Sequence, residues 1–203
     1  MSAKQVRNVV VLRAAVSAPA CVVAELSDEA LLAACGVGDG VALGALYDRH
    51  HDAVFRLAAR LLAGGAADVD DVVQSTFIEA WRSAHRYRGN GSVRSFLYGI
   101  AVNLVRRHRR SGRRARVALD ELQPPSGPSL PSELLLRAQQ IDQLTAALAA
   151  LPHDLRAAYV LCDLEDMSGV DAARLLGTPS GTLWRRLHEA RRALREALEG
   201  DRR

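Results

Sequence analysis

Hydrophobic residues recur at intervals of three and four along most of the chain, which is the spacing of amphipathic helices. The clearest example covers residues 168–198, where two such stripes follow each other closely. Ser168 and Asp171 have the spacing of a capping box at the start of the first helix. Gly177 ends that helix, and the Thr-Pro that follows supplies a cap and a first position for the second. This stretch is therefore predicted to form a helix-turn-helix.

The second helix of this pair has one buried stripe and one basic surface. Its stripe consists of Leu183, Leu187, Ala190, Leu194 and Leu198. Its other faces carry Arg185, Arg186, His188, Arg191, Arg192 and Arg195. A solvated arginine face on an ordinary helical hairpin is the plainer interpretation. The caps, turn glycine and stripe together favour a recognition helix that enters the DNA major groove.

The rest of the pattern is also helical. In the first half, helices are predicted to begin near Asp39, Asp68 and Ser92 and to form a small bundle, with Gly64 and Gly65 ending the first. In the second half, leucine stripes on both sides of Pro152 predict two helices before the helix-turn-helix. No stretch alternates with period two for long, so the predicted fold is all-α.

A proline-rich segment divides the chain into two predicted domains. Prolines at 124, 125, 128 and 131 exclude regular helix there. The predicted organisation is a weakly ordered extension over residues 1–26, a helical bundle over 27–111, a flexible linker over 112–136 and a helix-turn-helix domain over 137–203. The extension carries an apolar run that Arg13 interrupts, and it is too short to span a bilayer. An export signal is the alternative for this extension.

Charge points to a polyanionic partner. The chain has a formal net charge of +4 and an isoelectric point near 9.3, and its arginines are clustered. Residues 82–116 contain eleven arginines and no acidic residue, which suits phosphates. The rings of Tyr87, Phe96 and Tyr98 lie among these arginines, where they either stack on unpaired bases or pack in the bundle core. For Phe96, packing in the bundle core is favoured. For Tyr87, base stacking and core packing are equally plausible.

No constellation for catalysis or metal binding is recognisable. The three cysteines, Cys21, Cys35 and Cys162, are far apart, and the adjacent His50 and His51 point to different sides of a helix. There is no convergent Ser/His/Asp set and no phosphate-binding glycine loop. We therefore predict a protein without enzymatic activity, cofactor or metal, in a reducing cytoplasm and not inserted in a membrane.

Two stretches together resemble one protein family. The first stretch resembles domain two of bacterial sigma-70 factors of the extracytoplasmic-function (ECF) group and reads DVDDVVQSTFIEAWRSAHRYRGNGSVRSFLYGIAVNLVRRHRR. The second stretch resembles domain four of the same factors and reads LPHDLRAAYVLCDLEDMSGVDAARLLGTPSGTLWRRLHEARRALREAL. The resemblance covers residues 39–199, with both motifs in order. It implies a transcription initiation factor that directs RNA polymerase to promoters. A two-domain DNA-binding regulator that never joins polymerase is the alternative from the residues alone, and a structural adaptor is a third.

The resemblance also implies roles for individual residues. Binding to the polymerase β′ clamp helices would involve Asp71, Val72, Gln74 and Phe77. Recognition of the minus-ten element would involve Arg88, Asn90, Arg94, Tyr98, Asn103, Arg106 and Arg107. Recognition of the minus-thirty-five element would involve Thr182, Trp184, Arg185, Arg186, His188 and Arg191. The implied partners are core RNA polymerase, through β′ and the β flap, promoter DNA and an anti-sigma factor. Trp184 departs from the family pattern, which often has Lys or Arg there.

Overall fold

A computed structural model of the 203-residue chain describes residues 25–62, 66–89, 91–115 and 143–200. Every regular element within these ranges is helical, which confirms the all-α class. Among the described helices, none is both long and apolar enough to cross a membrane. The predictions for residues 1–24, for Gly64 and Gly65, and for residues 116–142 of the linker region lie outside the described residues. The domain boundaries stay a prediction.

Eight α-helices are described. The first four are α1 (Asp28–Cys35), α2 (Gly40–Leu62), α3 (Ala66–Ser83) and α4 (Val93–Ala115), with a single 3-10 turn (Ala84–Arg86) after α3. The next four are α5 (residues 143–150), α6 (His153–Tyr159), α7 (Gly169–Leu176) and α8 (Ser180–Gly200), with a π-helical turn (Val160–Leu164) after α6. The described residues divide into two compact units, with boundaries after Ala58 within α2 and after Leu104 within α4. The first unit contains α1, α3 and most of α2 and α4, and the second contains the last turns of α2 and α4 together with α5 to α8.

Helix α1 in the first unit was not predicted from the sequence. The Ser27 hydroxyl accepts a hydrogen bond from the Ala30 amide at 3.2 Å and so caps the helix. Asp28 accepts hydrogen bonds from Arg49 at 2.9 Å and from His50 at 2.8 Å, which ties α1 to α2. Burial acts to raise the pKa of Asp28, but these two hydrogen bonds outweigh it and hold the pKa below its usual value. Tertiary contacts therefore stabilise a helix that is too short to show a clear stripe.

The three longer helices of the first unit follow the predicted pattern. Asp39 Oδ1 accepts hydrogen bonds from the amides of Val41 and Ala42 at 2.9 and 3.2 Å, so α2 begins where its cap was expected. Ser92 caps α4 by accepting from the Ser95 amide at 3.1 Å. The buried core consists mainly of Leu31, Leu32, Leu46, Val54, Leu57, Val73, Phe77, Leu97 and Tyr98. Burial of these apolar side chains, rather than helix propensity, accounts for most of the stability of such helices.

The helix-turn-helix of the second unit is confirmed in detail. Ser168 Oγ accepts from the Asp171 amide at 3.1 Å and donates to the Asp171 carboxylate at 2.7 Å. Gly177 ends α7 in the left-handed conformation, with φ of 59°. Helix α8 begins at Ser180, one residue later than predicted, because the Pro179 carbonyl accepts the first helical hydrogen bond, from Leu183.

The stripe of α8 is buried as predicted over most of its length. Leu183, Leu187, Ala190 and Leu194 are buried, whereas Leu198 is half-buried. Ala190 and Leu194 pack in a cluster with Leu148 and Leu151, which lie at the end of α5 and just after it. Packing of this stripe fixes the orientation of α8, so the opposite surface of the helix faces solvent.

Substitution of Gly177 by alanine should lower the free energy of unfolding of the second unit by about 1–2 kcal/mol, the cost of a left-handed conformation for a residue with a Cβ. The site is open, since no atom lies within 4 Å of a Cβ built there, so the backbone alone causes the loss. Urea denaturation measures the effect. Gly181→Ala is the matched control, because Gly181 is also open and lies within α8. A Gly177→Ala protein as stable as Gly181→Ala would contradict this account of the turn.

Candidate polymerase and nucleic-acid interfaces

Helix α3 exposes one polar stripe, and the structure divides the four predicted polymerase-binding residues between its two faces. Asp71 and Gln74 are exposed. Val72 and Phe77 are buried in the core of the first unit, so they present no surface to a partner in this structure, and their role in polymerase binding stays a prediction. A helix turns by about 100° per residue, so an exposed residue and the next one along the chain can lie on different faces, as Asp71 and Val72 do. Phe77 packs instead against the ring of Tyr47, with ring centroids 4.8 Å apart.

Ile78 joins Asp71 and Gln74 on the exposed side of α3. Its side chain is 42% exposed, and its spacing of seven and four residues from the other two places all three on one face. We call these three residues the α3 stripe. Ile78 was not among the residues predicted to bind polymerase, although its spacing from Asp71 and Gln74 places it on their face. An exposed isoleucine beside polar residues suits a protein partner better than it suits nucleic acid.

The turn between α3 and α4 is a closed loop. The Tyr87 hydroxyl donates to the Gly91 carbonyl at 2.6 Å, and its ring packs edge-on against Phe96 with centroids 5.5 Å apart. Gly89 and Gly91 have φ of 73° and 120°, a region that favours glycine. Arg88 is exposed, and Asn90 lies outside the described residues. Tyr87 therefore links the two ends of the loop in this structure, and its half-buried ring contacts Phe96.

The predicted minus-ten residues of α4 do not share one surface. Tyr98 is 1% exposed, and Arg94 donates to its hydroxyl at 2.9 Å while lying over its ring at 5.1 Å. Tyr98 is therefore buried in this structure, and its role in minus-ten recognition stays a prediction. Asn103 and Arg107 are exposed at adjacent turns, and Arg110 continues their face. Arg94 itself is exposed, nine residues before Asn103 and thus on the opposite side of the helix.

Arg106 is only half-buried, and its guanidinium donates to the Leu176 carbonyl at 2.8 Å. This carbonyl belongs to the last turn of α7, where unpaired carbonyls attract cations. In this structure Arg106 is therefore engaged with the protein rather than directed at solvent. His153 also contributes no charge, because burial and the nearby Arg109 lower its pKa to about 4.

The arginines of α8 have two different environments. Arg186 donates to Asp154 at 2.6 Å, and Arg191 makes a two-pronged contact with Asp163 at 2.8 and 2.6 Å. The hydrogen bond to Asp163 raises the pKa of Arg191. Arg185 pairs only with Glu189 of its own helix, at 2.8 Å, and is largely exposed. Arg186 and Arg191 thus brace α8 against the preceding elements, which leaves Arg185 as the more accessible cation.

One face of α8 is open to solvent. It consists of Gly181, Trp184, Arg185, His188 and Arg192, which recur at three- and four-residue spacing. We call it the α8 face. Thr182 lies half-buried beside it. Charged, aromatic and imidazole groups on one exposed helix face can contact both phosphates and base edges.

We next consider whether the described residues could bind a metal ion or act as reactive thiols. Among the described residues, no three His, Cys, Asp or Glu side chains are placed to hold an ion. Cys35 and Cys162 are both free thiols, and burial raises the pKa of each, that of Cys35 to about 11. Cys21 lies outside the described residues. The described surfaces are therefore better suited to binding macromolecules than to thiolate chemistry.

Comparison with known proteins identifies the family. Sigma-70 region 2 matches residues 46–115, and Sigma-70, region 4 matches residues 141–194. The ECF RNA polymerase sigma factor SigM of Mycobacterium tuberculosis is 35% identical over 175 residues, which cover 86% of each chain. The ECF RNA polymerase sigma-E factor of Escherichia coli is 32% identical over 180 residues, covering 84% of this chain and 93% of the relative.

Solved structures agree with this match. CnrH, solved in complex with the cytosolic domain of CnrY, is similar with a TM-score of 0.61 and 29% identity, covering 86% of this chain and 98% of that one. The sigma factor RpoE of Bartonella quintana, solved with the anti-sigma factor NepR, shares the fold with a TM-score of 0.59 and 24% identity, covering 75% and 94%. These findings confirm the resemblance seen in the sequence. The chain belongs to the ECF group of the sigma-70 family and is a polymerase-associated transcription initiation factor.

Proposed function

We propose that this chain binds core RNA polymerase through the α3 stripe and recognises promoter DNA through two further surfaces. The loop after α3 and the exposed side of α4 would contact the minus-ten element. The α8 face would enter the major groove at the minus-thirty-five element. The observation that carries the proposal is the grouping of Asp71, Gln74 and Ile78 on one exposed face, because the alternative of a plain DNA-binding regulator gives this face no role.

The electrostatic arrangement supports this division of work. The exposed residues near the start of α3 are acidic or neutral, whereas exposed arginines that suit phosphates lie on α4 (Arg94, Arg107, Arg110) and on α8 (Arg185, Arg192). The chain itself would perform no catalysis and would act in the cytoplasm, where the polymerase is found. An anti-sigma factor, implied by the family resemblance, would inhibit the protein by covering one of these surfaces.

The loop after α3 would hold an unpaired base during strand opening. Its shape depends on Gly91, whose φ of 120° is strained for any residue with a Cβ. Gly91→Ala should therefore reduce the permanganate reactivity of unpaired promoter thymines in the complex of polymerase with this chain. Binding to core polymerase should stay near the wild-type level, because the α3 stripe is untouched.

Gly38→Ala is the matched control for this experiment. Gly38 also has a positive φ, of 93°, and open space around it, but it lies in the turn between α1 and α2. Its substitution imposes comparable backbone strain on the first unit without altering the loop. If both variants reduce thymine reactivity equally, the loop is a connector and has no specific role in strand opening.

A further inference from the structure

An exposed apolar patch interrupts the basic surface of the helix-turn-helix. Trp184 on α8 is 54% exposed, and Val170 on α7 is 63% exposed. Within the described part of the second unit, these are the two large hydrophobic residues with such exposure. Single exposed apolar residues are common on proteins. An exposed tryptophan in the middle of a basic helix face is a more specific feature.

The indole of Trp184 packs against the backbone of Gly169. A Cβ built on Gly169 would lie 2.5 Å from Cζ2 of Trp184, 3.0 Å from Cη2 and 3.1 Å from Cε2. The six-membered ring of the indole therefore rests directly on this backbone. Gly169 does not have the positive φ that usually requires glycine. A Cβ at Gly169 would therefore displace the indole from this position without straining the backbone.

The surroundings of this patch favour DNA over an apolar partner. Arg185 follows Trp184 directly, and His188 lies one turn further along the same exposed face. A surface with an apolar centre and cations around it complements the major groove, where thymine methyl groups lie between two rows of phosphates. A protein partner would instead require most of the surrounding charge to be desolvated.

We propose that Trp184 reads thymine methyl groups in the minus-thirty-five element, with Gly169 as the positioning residue that fixes the indole and Val170 extending the apolar surface. This inference rests on the proposed entry of α8 into the major groove. The 5-methyl group distinguishes thymine from cytosine by its shape and apolar character. Trp184 accordingly gives base preference at one or two positions, while Arg185 and His188 contact the phosphates and bases beside it.

The test uses core polymerase loaded with the full chain. A promoter library randomised across the minus-thirty-five region first identifies the preferred thymines. Each of these is then replaced by deoxyuridine, which removes only the methyl group. The wild-type complex should bind thymine about fourfold more tightly than deoxyuridine at the contacted position, the effect of burying one methyl group. The Trp184→Ala complex should bind both templates equally.

Gly169→Ala tests the positioning role separately. It keeps the indole but forces it away from the backbone, so thymine and deoxyuridine should again be bound equally. Gly44→Ala is the matched control, since a Cβ at Gly44 meets nothing within 4 Å and the residue lies in α2. The double variant Gly169→Ala/Trp184→Ala removes the clash. It should restore any lost stability without restoring the discrimination.

The possible outcomes separate this inference from the proposed function. A wild-type complex that selects a minus-thirty-five sequence but does not distinguish thymine from deoxyuridine overturns the inference alone. The same holds if Trp184→Ala keeps the discrimination, or if it loses affinity for core polymerase instead. A wild-type complex that binds core polymerase yet selects no minus-thirty-five sequence overturns the proposed role of α8, and the inference with it.

Discussion

Binding to core RNA polymerase should be lost when Asp71 and Gln74 are both replaced by lysine. The two side chains are exposed on the α3 stripe, so the change leaves the core of the first unit intact. A few residues near the centre of a protein interface carry most of the binding energy, and replacing one of them costs about 2 kcal/mol or more. We therefore expect affinity for core polymerase to fall by about 100-fold or more, measured by pull-down and by titration with labelled protein.

The matched control is Asp48→Asn with Asp52→Lys, which changes the net charge by the same three units on exposed positions of α2. Its affinity for core polymerase should stay close to wild type. Ile78→Asp provides a third comparison, because it places a charge at the apolar position of the stripe. Ile78→Asp should weaken binding, whereas equal binding by all these variants would remove the α3 stripe from the polymerase interface.

Promoter selection should depend on Arg185 more than on Arg192. The two arginines have nearly identical settings on α8, with side chains 65% and 67% exposed and each near a glutamate four residues further on. Arg185 lies near the start of the helix, where recognition helices contact base edges. Arg185→Ala should relax base preference at one position by about 1–3 kcal/mol, measured by selection from a randomised library.

Arg192→Ala should behave differently. Two turns further along α8, Arg192 suits a phosphate contact, so its loss should weaken binding uniformly across sequences and make the salt dependence less steep. Both variants keep the stripe of Leu183 and Leu187, and both should fold as the wild type does. If the two substitutions have the same effect on base preference, α8 is not oriented with its amino-terminal half toward the bases.

Local signals in the sequence were sufficient to predict the helix-turn-helix. The hydroxyl of Ser168, the left-handed conformation of Gly177 and the leucine stripe of α8 each act within a few residues, so their spacing determines the structure directly. The α2, α3 and α4 helices were predictable for the same reason. Helix α1 was missed because its eight residues are too few to show a clear stripe, and its buried Leu31 and Leu32 and the partners of Asp28 become apparent only in the tertiary structure.

The candidate sites were less predictable, because burial and pairing depend on the tertiary structure. Val72 and Phe77 were assigned to polymerase by family resemblance, although α3 directs them into the core. The aspartates that engage Arg186 and Arg191 come from positions 154 and 163, and no local pattern pairs them with α8. The contact of Gly169 with Trp184 likewise joins two helices across the turn.

A transcription assay with purified components tests the account most directly. Core RNA polymerase alone and core polymerase with this chain would each be given templates obtained by promoter selection. We expect a run-off transcript of defined length that depends on the chain and disappears with the Asp71→Lys/Gln74→Lys variant. A wild-type chain that binds DNA but neither joins core polymerase nor yields such a transcript would contradict it.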